Sequence, residues 1–298
     1  MNVLQEFQTI FDRKMIPYLD SLKIEDRFSE PVFYTLLHPS NKFRSATAIL
    51  AADICGVEEL ALPIAAVSEI IHNSIIVQDD IADGDTVRRG NIVAWKKYGV
   101  CHALHAALYV LPECLRIMEY ISGAEAKSSI MQGFWETYRH VCRAQIGQAQ
   151  LKLTDRLIYA DFLNIHHGKT AIGQWAVRSV AISAGKLEAA RLLDSFAKCL
   201  GDAGSIKNDL EDFMIQGSYE SSFSDIREGM VTYPLYSFFH QCSQADQQSF
   251  LRVFGGGDTL AGSRWAIKIA ESPVIAHCKE KVYQLVEAAK AQLQFFVP

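Results

Sequence analysis

The sequence predicts an all-α protein that folds as a single domain, and three observations lead to this prediction. Apolar residues recur at helical spacing along most of the chain, and no stretch sustains the alternation of a strand. Hydrophobic residues make up 49% of the 298 positions, which is ample for a sizeable core. The chain shows neither an internal repeat nor a linker, so we expect residues 1–298 to form one helical domain.

The composition argues against several classes of protein. The net charge is −5 without a basic block, which argues against nucleic acid as a partner. No window of about 18 uncharged apolar residues occurs, so we expect no transmembrane segment, and the N-terminus lacks the apolar centre of a signal peptide. The seven cysteines are scattered singly, which is typical of reduced thiols. We therefore expect a cytoplasmic protein.

The first two predicted helices lead to a candidate phosphate site. Amphipathic spacing predicts a helix over residues 2–21. Further along, Ser40 or Asn41 could cap a helix whose start carries Lys42 and Arg44. Basic side chains beside the free N–H groups of a helix start can bind a phosphate.

The next predicted helix starts near Glu58 and ends in three carboxylates. Asp79 and Asp83 are four residues apart and share one helix face, and Asp80 lies beside them. Three such carboxylates repel one another unless a cation lies between them. Mg²⁺ is the natural candidate, because it binds a few carboxylates and completes its shell with waters and phosphate oxygens.

Two arginines and a second acidic cluster strengthen the interpretation as a metal site. Arg88 and Arg89 follow closely, and guanidinium groups beside a carboxylate–metal site suit a diphosphate. Asn208 and Asp212 are again four apart, with Asp209 between them. The two clusters, about 130 residues apart, could face each other across a cavity. The alternative is a solvated acidic helix end followed by a basic loop.

The remaining segments also have helical spacing. They predict helices over residues 99–118 (interrupted near Pro112), 125–152, 157–184, 186–216, 231–240 and 272–296, with a loop over 218–223.

The sequence Gly168-Lys169-Thr170 suggests a P-loop. We reject it, because Leu163 stands where that motif needs its first glycine and no strand precedes it.

These motifs, in this order, resemble those of the polyprenyl synthetase family, the trans-isoprenyl diphosphate synthases of farnesyl/geranylgeranyl type. Residues 79–83 resemble its first aspartate-rich motif, and 88–90 follow at the family's spacing. Residues 208–212 resemble its second motif, with Asn208 replacing the first aspartate. Gly147-Gln148, Lys169-Thr170 and residues 224–235 resemble further landmarks. The resemblance covers roughly residues 35–240 and implies an isoprenoid-synthase helical bundle around a central apolar cavity.

The resemblance implies a magnesium-dependent condensation of an allylic diphosphate with isopentenyl diphosphate by a homodimer. The residues that it implies fall into three groups. Three Mg²⁺ ions would be held by Asp79, Asp83, Asn208, Asp209 and Asp212. Catalysis would involve Asp79, Asp80, Asp83, Arg88 and Lys169, with Thr170 also reaching the allylic diphosphate. Isopentenyl diphosphate would contact Lys42, Arg44, His72 and Arg89.

The same resemblance addresses product length. Ser74 and Ile75 lie five and four residues before Asp79, where bulky aromatic residues close the product pocket in some family members. Small Ser74 leaves space and favours a product of C20 or longer.

The chain also departs from the family pattern. The Gly-Gly-Lys segment is not kept around Lys42, and Met230 stands where a lysine is usual. Two alternatives therefore stay open. One is a class I terpene synthase or atypical prenyltransferase that ionises an allylic diphosphate without isopentenyl diphosphate, which the Asn208-Asp209 pair mildly favours. The other is a non-catalytic subunit of a heteromeric synthase.

Overall fold

The structure is a computed structural model that describes residues 3–121, 123–154, 157–213, 224–256 and 259–296. The contacts between Cα atoms divide the chain into two compact units. The first comprises Met1–Glu136 and Ile172–Asp194, and the second comprises Thr137–Ala171 and Ser195–Pro298. Each unit is described by itself, and the single domain stays a prediction. The predicted loop over 218–223 lies outside the described residues.

Almost all of the described chain is helical, so the predicted all-α class is confirmed. The elements of the N-terminal part are α1 (Val3–Ile10), a π-helical turn (Phe11–Met15), α2 (Ile16–Ser21), α3 (Asp26–Leu37), α4 (Phe43–Cys55), α5 (Glu58–Ala82), β1 (Val87–Arg88), β2 (Asn91–Ile92), α6 (Ala94–Tyr98) and α7 (Val100–Met118). They are followed by α8 (Ala124–Gln150), α9 (Tyr159–Gly168), α10 (Ala171–Ser183), α11 (Leu187–Glu211), α12 (Ser224–Glu228), α13 (Tyr233–Gln241), α14 (Gln244–Leu251), α15 (Thr259–Ala270) and α16 (Pro273–Leu293).

Helix α5 is the central helix of the first unit. It packs against α3, α4 and α7, and Ile64, Val67, Ile70 and Val77 along it are fully buried. A helix enclosed on several sides is apolar around most of its circumference. By length and composition alone, Leu60–Ala82 could also cross a membrane, but 78% of its most apolar window is buried. Packing in the core therefore accounts for its apolar character.

Helix α7 differs from its prediction, because it runs without interruption through Pro112. A proline removes one backbone hydrogen bond from a helix and crowds the preceding turn. Here the helix is held on both sides of that position by buried residues, including Val110, Cys114 and Ile117. Packing of this face against α3 and α5 offsets the missing bond.

The single helix predicted over residues 157–184 is instead two helices, α9 and α10. The chain turns at Lys169 and Thr170, whose N–H groups donate to His166 O and His167 O at 3.2 and 3.1 Å. Gly168 packs so tightly that a Cβ there would lie 2.2 Å from Cβ of Ala144. This close approach to α8 is a tertiary constraint that sequence periodicity does not reveal.

The second unit has an aromatic core. Helices α13, α15 and α16 pack together, and its buried residues include Phe162, Leu235, Phe239, Phe250 and Ile269. Pro234 lies in the first turn of α13, as predicted. Helix α11 ends at Glu211, earlier than the predicted 216, and residues 214–216 lie outside the described part.

Candidate active site

The C-terminal end of α5 carries the first acidic cluster. The N–H of Asp83 donates to Asp79 O at 2.8 Å, so helical geometry continues to Asp83. The carboxylates of Asp79 and Asp83 therefore start one turn apart on one face, as predicted. Asp83 is exposed and Asp79 is partly buried, whereas only 1% of Asp80 is accessible. The three carboxylates thus occupy different environments.

Asp80 is the ion-pair partner of Arg88. Arg88 Nε donates to Asp80 Oδ1 at 2.5 Å, and Arg88 Nη2 donates to Asp85 Oδ2 at 3.1 Å. Burial raises the pKa of Asp80, and the Arg88 guanidinium opposes this rise. Two of the five N–H donors of Arg88 are used in these bonds, so the pair fixes the guanidinium and leaves donors for a ligand.

Arg89 occupies the turn of a short hairpin. Strands β1 and β2 pair antiparallel, with Arg88 opposite Asn91. The two turn residues, Arg89 and Gly90, have φ values of +52° and +77°, as a type I′ turn requires. The Arg89 guanidinium makes no hydrogen bond or ion pair to any residue in the described ranges. The left-handed conformation costs a non-glycine residue roughly 1–3 kcal/mol.

Lys42 lies at the start of α4, but its side chain points into the unit. Its Nζ donates to Leu36 O and, at 2.9 Å, to His38 O at the C-terminal end of α3. It also lies 4.5 Å from the centroid of the Phe11 ring. Only 2% of Lys42 is accessible, and burial lowers its pKa. In this conformation the ammonium is occupied by protein carbonyls, and its binding of isopentenyl diphosphate stays a prediction.

The start of α4 is capped by a residue that the sequence analysis did not assign. Glu69 of α5 is buried, and its Oε1 accepts from Ser45 N at 3.0 Å and from Ser45 Oγ at 2.9 Å. This carboxylate lies at the positive end of α4, where it also interacts with Arg44. Burial lowers the pKa of Arg44, and Glu69 opposes that shift. An acidic residue inside an otherwise apolar stretch was the available signal.

His72 lies on α5 in a strongly positive region. Burial lowers its pKa well below the ordinary value, and the nearby guanidinium groups of Arg44, Arg89 and Arg88 lower it further. The imidazole is therefore neutral at physiological pH and can donate one N–H. Cations gathered around a neutral histidine suit an anionic ligand.

Ser74 and Ile75 lie on α5, close to its C-terminal end. Ser74 is buried, with its Oγ donating to Ile71 O at 2.8 Å, and Ile75 is partly exposed. A small buried residue next to a partly accessible apolar one is compatible with the predicted role in product length.

The second unit contains the other acidic cluster. Asp209 Oδ2 accepts from Tyr233 N at 3.0 Å, and Asp212 Oδ2 accepts from Asp225 N at 3.2 Å. Burial raises the pKa of Asp209 to about 6, with Lys169 opposing the rise. Burial and the neighbouring carboxylates also raise the pKa of Asp225, which the sequence analysis did not assign to the site. Three carboxylates, those of Asp209, Asp212 and Asp225, thus interact with one another in this unit.

The other predicted residues of this unit surround the same cluster or lie at its edge. Lys169 follows the C-terminal end of α9 and interacts electrostatically with Asp209. Thr170 donates from Oγ1 to His167 O at 3.1 Å and packs against Gly201, where a Cβ would lie 2.7 Å from Thr170 Cβ. Asn208 is exposed on α11. Asp212 lies just past the end of that helix.

The all-α fold, the aspartate cluster in each unit and the cationic groups beside them fit a prenyltransferase. The family model of polyprenyl synthetase matches residues 25–264, and the chain belongs to that family. The resemblance inferred from the motifs and the predicted enzyme class are thereby confirmed.

Two relatives and one solved structure illustrate the similarity. The chain is 25% identical to the all-trans-nonaprenyl-diphosphate synthase (geranyl-diphosphate specific) of Rhodobacter capsulatus, over 85% of this chain and 78% of that protein. It is 23% identical to the geranylgeranyl diphosphate synthase of Methanosarcina mazei, with the same coverage of 85% and 78%. The fold matches a Caulobacter crescentus polyprenyl synthase, complexed with calcium and isoprenyl diphosphate, with a TM-score of 0.84. That match is 19% identical, covers 98% of this chain and 92% of the other, and confirms the all-α fold.

Proposed function

We propose that this protein condenses an allylic diphosphate with isopentenyl diphosphate to give a longer trans-polyprenyl diphosphate. Family membership over residues 25–264 and the named activities of the relatives support this function. One structural observation carries it within the first unit. The Arg89 guanidinium, without a protein partner in the described residues, lies in a positive region with Arg44 and His72. A diphosphate is the anion that such a region suits.

The carboxylates fit a dependence on Mg²⁺. Within the described residues, no group of three or more His, Cys, Asp or Glu side chains could hold a metal ion by itself. Mg²⁺ usually binds one or two carboxylates and completes its shell with waters and substrate phosphates. The pairs Asp79 and Asp83, and Asp209 and Asp212, supply such oxygens.

We propose that three Mg²⁺ ions bind these carboxylates together with Asn208. When bound, the ions would neutralise negative charge on the leaving diphosphate. The related Caulobacter crescentus protein, which binds calcium and isoprenyl diphosphate, supports a divalent cation in this family.

The protein's own groups then have separate tasks. Arg88, held in place by Asp80, and Lys169, assisted by Thr170, would stabilise charge on the departing diphosphate so that an allylic cation forms. Arg44, His72 and Arg89 would hold isopentenyl diphosphate while its double bond attacks the cation. The departing diphosphate can accept the final proton, so no dedicated protein base is required.

A second candidate function is favoured by one specific observation. The ammonium of Lys42 is bound to Leu36 O and His38 O, so a cation expected for isopentenyl diphosphate is engaged elsewhere. This observation favours a terpene synthase or atypical prenyltransferase that ionises an allylic diphosphate alone.

One incubation distinguishes the candidates. The purified protein is mixed with Mg²⁺ and geranyl, farnesyl or geranylgeranyl diphosphate, with and without isopentenyl diphosphate, and the products are identified by mass spectrometry. A longer diphosphate that requires isopentenyl diphosphate supports condensation. A hydrocarbon or alcohol formed from a single diphosphate overturns it in favour of the second candidate. The absence of any product until a second chain is added would indicate a partner subunit.

Product length, assembly and location are further parts of the proposal. Ser74 supports a product of C20 or longer. A homodimer is supported by Val100, Leu104 and Leu108, which are exposed apolar residues one turn apart along α7. A cytoplasmic location is supported by the scattered free cysteines.

A further inference from the structure

A small cavity in the first unit brings cationic side chains together around one carboxylate. It is lined by Thr35 and His38 at the end of α3, by Asp80 of α5, and by Arg88, Arg89 and Ile92 of the hairpin. Asp80 is already neutralised by Arg88 through the 2.5 Å bond. The charge of Arg89 and the polar ring of His38 therefore remain available to a ligand.

The hairpin that presents Arg89 is fastened to the helices around it. Tyr34 OH donates to Ile92 O at 2.9 Å, and Trp95 Nε1 donates to Asp85 O at 2.8 Å. Arg89 is thus held in a strained left-handed conformation with its guanidinium unpaired within the described residues. Strain of this kind persists where the surrounding structure fixes it, and such sites are often functional.

His38 lines the same cavity and is also held in place. Its ring packs edge-on against Tyr34, with the centroids 4.1 Å apart, and the Lys97 ammonium lies 3.9 Å from the same Tyr34 ring. Burial lowers the pKa of His38, and Lys97, Lys42 and Arg89 lower it further. A neutral imidazole still carries one N–H, which it can donate to an anion without becoming charged.

Two further cations, Lys42 near His38 and Arg88 in the cavity lining, are engaged with protein groups. Lys42 binds the carbonyls of Leu36 and His38, and Arg88 binds Asp80 and Asp85. The Lys42 ammonium is therefore not the group that completes an anion site here. His38 lies where that role can be filled from the same α3–α4 connection.

We propose that His38 is a substrate-binding residue that, together with Arg89, contacts the diphosphate of isopentenyl diphosphate. The inference rests on the proposed function and identifies a binding group within it. In this chain the imidazole N–H takes the place of the cation that Lys42 does not supply.

Steady-state kinetics test the proposal with His38→Ala, His38→Gln and a matched control, His102→Ala. His102 also lies beside an aromatic ring, Tyr98 at 5.9 Å, but bonds to Arg27 O instead of lining the cavity. We expect His38→Ala to raise KM for isopentenyl diphosphate about tenfold, corresponding to ~1.4 kcal/mol. KM for the allylic diphosphate should change less than about twofold. His38→Gln, which keeps an N–H donor, should recover part of the loss, and His102→Ala should behave as wild type.

A binding experiment without turnover provides the second readout. The histidine ring signals are followed by NMR as inorganic diphosphate is added without metal, and the His38 signal is assigned by its loss in His38→Ala. We expect this signal to shift in the wild-type protein and to remain unmoved in Arg89→Gln. An unmoved His38 signal in the wild type would overturn the inference, as would an unchanged KM for isopentenyl diphosphate in a folded His38→Ala protein. A rise confined to KM for the allylic substrate would also overturn it.

The proposed function and the role of His38 can be refuted separately. If the wild-type protein does not use isopentenyl diphosphate at all, the proposed function fails, and the NMR titration alone decides whether His38 binds a diphosphate group. If the wild type uses it and His38 variants are indistinguishable from wild type, only the role of His38 fails.

Discussion

Arg88 Nε lies 2.5 Å from Asp80 Oδ1, and this ion pair gives the two consecutive arginines different tasks. Arg88 is bound to a carboxylate whose side chain is only 2% accessible, whereas Arg89 has no such partner in the described residues. The pair therefore anchors the hairpin to the end of α5. Arg89, one residue further on, is the group that we propose contacts the ligand.

The first prediction concerns this anchor. Asp80→Asn should lower the free energy of unfolding by about 1–3 kcal/mol, because Arg88 loses a buried ionic partner but remains partly exposed. It should also reduce kcat, because the hairpin is no longer fixed. Urea unfolding and steady-state rates measure the two effects. Asp85→Asn is the control, since Asp85 is more exposed and should matter less; equal effects of both variants would argue against Asp80 as the anchor.

The second prediction concerns the proposed metal ligands. Asp79→Ala and Asp83→Ala should each lower Mg²⁺-dependent turnover by about 10²-fold or more, since charge on the leaving diphosphate is no longer balanced. Circular dichroism should show an intact fold, and Asp53→Ala on α4 should retain activity. Retained turnover in either cluster variant would refute the metal role.

A third prediction assigns Lys42 to stability. Lys42→Met should lower the free energy of unfolding by about 1–3 kcal/mol, because two hydrogen bonds to the end of α3 are lost. Lys96→Met is the control, because Lys96 is exposed and stacks on Trp95. Chemical denaturation measures both. A Lys42→Met protein as stable as wild type, but with a greatly raised KM for isopentenyl diphosphate, would show that Lys42 binds substrate instead.

The fourth prediction is a pH dependence of stability due to His166. Burial lowers the pKa of His166 to about 4, and its Nε2 is buried without a partner among the described residues. The unfolded state, with a pKa near 6.5, therefore binds more protons between pH 6.5 and pH 4. The stabilising contribution of neutral His166 is present above about pH 6.5 and is lost as the pH falls through that range.

Denaturation at several pH values tests this dependence. His166→Phe keeps the packing on Phe162 and should flatten the decline between pH 6.5 and 4, whereas His140→Gln, at a partly exposed position, should not. The same decline in His166→Phe as in wild type would rule out His166 as its source.

A fifth prediction concerns product length. Ser74→Phe should shorten the average product by one or more isoprene units, because the ring takes up apolar space beside Ile75. Ser74 is fully packed, so the variant should also be less stable by about 1–3 kcal/mol. Ser74→Ala, which adds no volume, should keep the wild-type distribution by mass spectrometry. If a folded Ser74→Phe protein makes unchanged products, Ser74 does not limit the chain.

Local spacing predicted the acidic end of α5 well. Asp79 and Asp83 share a helix face because the 3.6-residue period decides it, and that period is visible in the sequence. The start of α5 near Glu58 and the first turn of α13 at Pro234 follow from equally local signals.

Long-range contacts determine the features that the sequence did not predict. Glu69 caps α4 through Ser45, 24 residues earlier in the chain, and no local pattern encodes that contact. Lys42 points inward to the carbonyls of Leu36 and His38, and its backbone is left-handed, with φ at +45°. The turn between α9 and α10 depends on Gly168 meeting Ala144 of another helix.

The most direct test of the central claim is the mass of the product formed from unlabelled farnesyl diphosphate and isopentenyl diphosphate carrying five ¹³C atoms, in the presence of Mg²⁺. Condensation predicts a longer diphosphate that is heavier by one complete label for each added unit. An unlabelled, diphosphate-free terpene, with the labelled isopentenyl diphosphate left unconsumed, would contradict it.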